Sequence, residues 1–179
     1  MQKIALNPFR KDSFMKGISK NSFVAEFLKA AVIFMAGGFI YGAIEILYRG
    51  HTHPSMFVLG GLSLLWVGGL NSFFGKNPPI LLQMAIGSAI ITLGEFVCGV
   101  VVNLWLGMEV WDYSKMPFNI MGQVCLLFVF IWFFLSLPAI LVEDYMRSEM
   151  FGEPKRVYKR LLFRGAVSNR EKLGQIAQK

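Results

Sequence analysis

Residues 91–123 read ITLGEFVCGVVVNLWLGMEVWDYSKMPFNIMGQ. An acidic side chain, Glu95, stands inside an apolar run between Leu93, Gly94, Phe96 and Val97, and Asn103 follows two turns later. A loop at residues 111–119 then opens into another apolar run. A carboxylate placed in hydrocarbon is costly, so it faces a partner, a watery cavity or a proton. Glu95 is a functional candidate by position, and the stretch reads as two membrane spans joined by a short, closely specified loop.

Outward from this hairpin the chain keeps the same character. Its 179 residues are 55% hydrophobic and only 16% charged. Uncharged runs cover residues 30–44, 54–75, 77–94 and 116–142, and a helix that crosses the hydrocarbon core needs about 20 mainly apolar residues. The expected fold is therefore an all-α polytopic membrane protein with four transmembrane helices, near residues 30–48, 55–74, 80–106 and 118–142. Three regions follow. Residues 1–29 form a basic N-terminal segment, 30–142 the four-helix membrane domain, and 143–179 a basic tail in which residues 155–164 suit an amphipathic helix lying on the membrane surface.

Charge sets the orientation. Sixteen of the 18 basic side chains fall before the first span, after the fourth or in the loop between the second and third. The positive-inside rule then places both termini in the cytoplasm, with Glu45, Arg49, Asn103, Gln123 and the 111–119 loop toward the outer face. The net charge of +7 flanks membrane spans and belongs to no nucleic-acid module, so anionic lipid is the expected partner of the basic tail.

Within the spans, small and polar residues recur at helical spacing. Ser88, Thr92, Glu95, Gly99 and Asn103 make one stripe, expected to face protein or water. Gly38 and Gly42, the pair Gly60 and Gly61, and Gly99 allow close helix approach. Glu45 and Arg49, four apart, are placed to pair at a helix end, and Asn103 and Gln123 are the expected hydrogen-bonding neighbours of Glu95. Pro138 is expected to kink or loosen the end of the fourth span.

In the loop, Trp111 and Tyr113 suit interfacial anchoring, Asp112 and Ser114 a local turn, Pro117 the first turn of the next helix, and Asn119 its approach. Cys98 and Cys125 lie within spans and read as reduced, buried thiols. Residues 69–77 do not match a phosphate-binding loop, having five residues between the glycines and no Ser or Thr after Lys76. His51 and His53 read as interfacial polar residues, so no metal or cofactor is expected. Ser114 with Asp112 and the histidines lacks a nucleophile motif, and the chain is read as noncatalytic.

Glu95, the run Trp111-Asp112-Tyr113-Ser114, Pro117-Phe118-Asn119 and Gly122-Gln123-Val124-Cys125-Leu126, preceded by Tyr41-Gly42-Ala43-Ile44-Glu45, Arg49-Gly50 and Gly60-Gly61, resemble the putative ABC-transporter type IV permeases, a family of small bacterial membrane proteins. The resemblance covers residues 39–147. It implies a permease-like subunit of a transport system in a bacterial plasma membrane, acting as a homo-oligomer or with a separate ATPase. The alternative reading of the same residues is a noncatalytic membrane scaffold or sensor assembled through glycine-rich helix faces.

Overall fold

A computed structural model describes residues 22–71 and 78–154. The N-terminal residues 1–21, residues 72–77 with Lys76, and residues 155–179, where a surface helix is expected from the sequence, lie outside them. The first helix, α1 (Ser22–Arg49), runs unbroken from the lead-in through the whole first apolar segment. After a four-residue turn, α2 (Pro54–Gly68) begins, with Pro54 at its first position and His53 as N-cap, the imidazole accepting from the Ser55 amide. A proline there gives up an amide that no helical carbonyl would have used.

Helix α3 (Ile80–Gly99) continues directly into a π-helical segment, Val100–Trp105. A short antiparallel hairpin follows, β1 (Asn119–Ile120) and β2 (Val124–Cys125), and then α4 (Leu126–Tyr145) with a second π segment, Met146–Met150. Three of these helical stretches, Phe23–Arg49, Ile80–Trp105 and Leu126–Met150, are long and apolar enough to cross a membrane, while Pro54–Gly68 is a shorter apolar helix. The expectation of four full spans is thus met by three and a shorter fourth. At 1.5 Å per residue its 15 residues extend about 22 Å, against a hydrocarbon core of about 30 Å. A turn at Gly69 interrupts α2 before residues 70–71 resume helical geometry.

The fourth span also starts later than expected. Instead of entering a helix at residue 118, the chain turns back on itself, with Asn119 opposite Cys125 and Ile120 opposite Val124. Phe118, Met121 and Gly122 have positive φ values of 53°, 54° and 70°, which no right-handed helix accommodates. Helix α4 carries Pro138 without ending there.

The two helical hairpins pack through α2, which contacts α1, α3 and α4, whereas α3 and α4 hold each other. Glycine makes the closest approach. A Cβ on Gly60 would lie 2.3 Å from the Tyr41 Cβ, and one on Gly61 would lie 2.6 Å from the Phe34 ring. A Cβ on Gly87 would come within 2.6 Å of the Ser136 hydroxyl. Val67, Ile91, Trp132 and Ile140 form the centre of the core, and broad apolar surfaces such as Phe39, Leu47, Phe130 and Phe134 are left outward, as a bilayer solvent permits.

Candidate functional site

Glu95 is buried on the inward face of α3. Its Oε2 accepts a hydrogen bond from the Trp132 indole at 2.8 Å and its Oε1 one from the Tyr113 hydroxyl at 3.2 Å. Among the described residues no cation forms a salt bridge with it. Aromatic rings build the enclosure. Tyr41 stacks on Trp132 with centroids 5.9 Å apart, Tyr113 stacks on Phe128 at 4.6 Å, and Phe128 tilts against Trp132 at 6.0 Å. Burial first, then the charge of Glu95, push the Tyr113 hydroxyl's pKa upward, so it remains a protonated donor.

The two donors are chemically unlike. An indole N–H can only donate, whereas a phenol hydroxyl donates or accepts. The Trp132 side therefore fixes Oε2 as an acceptor. A proton arriving on Glu95 has its place on Oε1, where the bond to Tyr113 can reverse direction.

Asn103 and Gln123 are not among the hydrogen-bond donors to Glu95; they bond each other. Asn103 Nδ2 donates to Gln123 Oε1 at 2.8 Å and to the Trp111 carbonyl at 2.9 Å, while its Oδ1 accepts from the Val110 amide at 2.7 Å. The Trp111 indole donates to the Gln123 carbonyl at 2.9 Å, and Gln123 Nε2 to the Met121 carbonyl at 3.0 Å. Gly99 makes this cluster possible, because a Cβ there would lie 2.5 Å from Gln123 Oε1 and 3.0 Å from the Trp111 ring.

The same end holds Glu45, Arg49 and the loop. Arg49 pairs with Glu45 and donates to the Val110 carbonyl at 2.9 Å, and Thr52 donates to the other Glu45 oxygen at 2.6 Å. Asp112 accepts from the Ser114 amide and hydroxyl at 2.8 and 2.7 Å, which holds its carboxyl below the usual range. Asn119 donates to the Ser114 and Met116 carbonyls and accepts from the Gly122 amide. Of the packing glycines, Gly38 faces the Phe57 ring, which a Cβ would meet at 2.7 Å, and Gly42 has Thr52 no nearer than 3.8 Å.

A second polar cluster, not singled out from the sequence, lies at the opposite helix ends. Glu143 is fully buried against Gly68, whose Cβ, if present, would come within 2.3 Å of the Glu143 Cβ. One Glu143 oxygen accepts from Arg147, and Oε2 has no hydrogen-bond partner among the described residues. Asn71 donates to Asp144 at 3.0 Å. Glu153 joins Lys29 at 2.9 Å and Arg147 at 3.4 Å.

The signal for this second cluster was present but faint. On α4, Trp132, Ser136, Ile140 and Glu143 are buried at spacings of four, four and three. Ser136 and Glu143, with Asp144 beside the latter, are the buried polar residues of a largely apolar helix. His51 reaches the Arg49 carbonyl and His53 caps α2, and among the described residues no three His, Cys, Asp or Glu side chains come together as a metal site.

Comparison with curated proteins and with solved structures finds no match. A family model described as "Putative ABC-transporter type IV" matches residues 22–165, a region that contains all four helices, the hairpin and both polar clusters. The chain therefore belongs to that family of membrane proteins.

Proposed function

We propose that this chain is a permease-like subunit of a membrane transport system, noncatalytic in itself and working as an oligomer or with a separate ATPase. It sits in a bacterial plasma membrane with both termini in the cytoplasm, which puts the Glu45 end outside. The distribution of basic side chains supports that orientation. The observation that carries the reading is Glu95, a buried carboxylate held by two neutral donors between helices of a chain that belongs to the family described as "Putative ABC-transporter type IV". An intramembrane acid without a salt-bridged cation is poorly suited to be a structural ion pair and well suited to exchange a proton or a cation.

The scaffold alternative asks the glycine faces to bind partner helices. Gly38, Gly60, Gly61 and Gly99 are instead covered by Phe57, Tyr41, Phe34 and Gln123 of the same chain, which favours transport. The decisive experiment is cross-linking in native membranes followed by purification and mass spectrometry. A nucleotide-binding subunit recovered in fixed ratio supports the proposal, and recovery of this chain with no such subunit and no second copy overturns it. In reconstituted vesicles of the recovered assembly, Glu95→Gln should abolish solute flux while leaving the assembly intact.

A further inference from the structure

The enclosure of Glu95 restricts what the carboxylate exchanges. Each of its oxygens already accepts one hydrogen bond, Oε2 from Trp132 and Oε1 from Tyr113. A hard cation gathers about six or more oxygen ligands, and the polar side chains of the same helices are engaged elsewhere. Asn103 Oδ1 accepts from the Val110 amide, Gln123 Oε1 accepts from Asn103, and the Ser88 hydroxyl donates to the Val129 carbonyl at 2.7 Å. An organic cation needs room as well as charge. Tyr41 and Trp132 border a cleft of about 320 Å³ between α1 and α4, but Glu95 is not among the residues that line it. A proton needs neither ligands nor room.

The titratable groups around Glu95 come from three elements. Tyr41 of α1 and Cys98 of its own helix lie within its field, as does Arg49, whose guanidinium is engaged by Glu45 and the Val110 carbonyl. In the loop, Tyr113 bonds it and Asp112 is turned to Ser114. Helix α2 carries no titratable side chain, and those of α4, Glu143, Asp144 and Tyr145, stand at its far end.

Protonation has a direction. Because the Trp132 indole only donates, a proton on Glu95 settles on Oε1, which then becomes the donor and the Tyr113 oxygen the acceptor. The phenol hydrogen must turn away. Among the described residues Glu95 is the only hydrogen-bond partner of that hydroxyl, and a buried donor left without an acceptor is costly. Tyr113 is also built into the loop. Its amide donates to the Gly122 carbonyl at 2.7 Å and its carbonyl accepts from the Met116 amide at 2.8 Å, so a displaced Tyr113 displaces its neighbours.

We propose that Glu95 binds a proton, not a metal or organic cation, and that Tyr113 carries its protonation state to the 111–119 loop. The donor fixed on Oε2 and the reversible one on Oε1 make the two states of the acid unlike on the loop side alone. This rests on the reading of Glu95 as the exchanging acid of a permease-like chain, yet its test uses no transport.

The test takes the full chain in nanodiscs through a pH series. Infrared difference spectra should show the carbonyl stretch of a protonated carboxyl growing in on the acid side. The band should be lost in Glu95→Gln and unmoved when sodium or tetraethylammonium is added at constant pH. If Glu95→Gln does not fold, Trp132→Phe makes the assignment, because loss of the Oε2 donor should shift the band. Amide hydrogen exchange, corrected for its intrinsic pH dependence, should show protection at Tyr113 and Met116 falling as the band appears. Glu95→Gln, whose amide offers an oxygen to Trp132 and a donor to Tyr113, should hold the low protection at every pH. In Tyr113→Phe the band should persist while loop protection loses its pH response. A missing band, a band unmoved in Trp132→Phe, or its displacement by either cation overturns the proton assignment. Loop protection that stays constant while the band titrates, or that follows pH equally in Tyr113→Phe, overturns the coupling. Failure of the permease reading would show instead in the cross-linked membranes and would leave these spectra unchanged.

Discussion

The two polar ends of this helix bundle each carry an i, i+4 ion pair, Glu45–Arg49 and Glu143–Arg147, yet differ in what surrounds it. At the Glu45 end the central residues are amides: Asn103 and Gln123 tie backbone groups of the loop to α3, and the buried carboxylate Glu95 is satisfied by neutral donors. At the Glu143 end a relay of charges runs from Lys29 through Glu153 and Arg147 to Glu143. Amide networks fix geometry, because each bond is directional and each buried group left unmade is costly. Ion relays tolerate displacement but respond to pH and neighbouring charge. The first end is thus arranged to hold a site still, and the second to fasten helix ends across the chain.

The largest test of that contrast is Asn103→Leu. It strands the Val110 amide, the Trp111 carbonyl and the Gln123 oxygen together, and should cost about 2–4 kcal/mol, read as loss of thermal stability in detergent. A cost no greater than that of Asn119→Ala would show that Asn103 is not the hub. Next comes a pair of glycine substitutions. Gly68→Ala sets a new Cβ 2.3 Å from the Glu143 Cβ, and Gly99→Ala sets one 2.5 Å from Gln123 Oε1, which Asn103 holds, and 3.0 Å from the Gln123 Cβ and the Trp111 ring. Overpacking at either glycine should cost about 1–3 kcal/mol; a Gly99→Ala cost well below that of Gly68→Ala would show that the amide cluster gives way and does not hold its geometry.

The charge relay gives a smaller effect with a pH signature. Burial alone would raise the pKa of Glu153, but Lys29 and then Arg147 hold it below the ordinary carboxylate value of 4.5. A depressed folded value means that its stabilisation is complete above pH 4.5 and is lost as pH falls through the lower folded value. Glu153→Gln should cost about 0.5–1 kcal/mol at neutral pH, and the variant should lack that share of the acid-side decline in a pH series of melting curves. The smallest effect belongs to Asp112→Asn. Asp112 is exposed and serves a local turn with Ser114, so melting temperature should barely move, and a drop comparable to that of Asn103→Leu would show that the loop is braced from a different point.

Much of this was legible in the chain. The small-and-polar stripe of α3 faces inward at Ser88, Glu95, Gly99 and Asn103, and Glu45 reaches Arg49 because four residues make one helical turn. The partners of Glu95 were not legible. Tyr113 and Trp132 lie 18 and 37 residues away, and each also suits a membrane interface, so composition gave no reason to choose them over Asn103 and Gln123. The later start of α4 was hidden because residues 116–142 are uniformly uncharged; backbone at positive φ, not hydropathy, ends the loop there.

By itself, then, the sequence determined that this is a membrane protein of apolar helices, that Glu95 would need satisfaction inside it, and where the 111–119 loop would fall. Hydrophobic run length and helical period are local properties of the chain, and these conclusions need nothing more. Tertiary structure alone decided which donors reach Glu95, that Gly68 makes room for Glu143, and that α1 and α4 leave a cleft between them. Each depends on which helix faces which, and that is settled by the packing of small residues against large ones across distant parts of the chain.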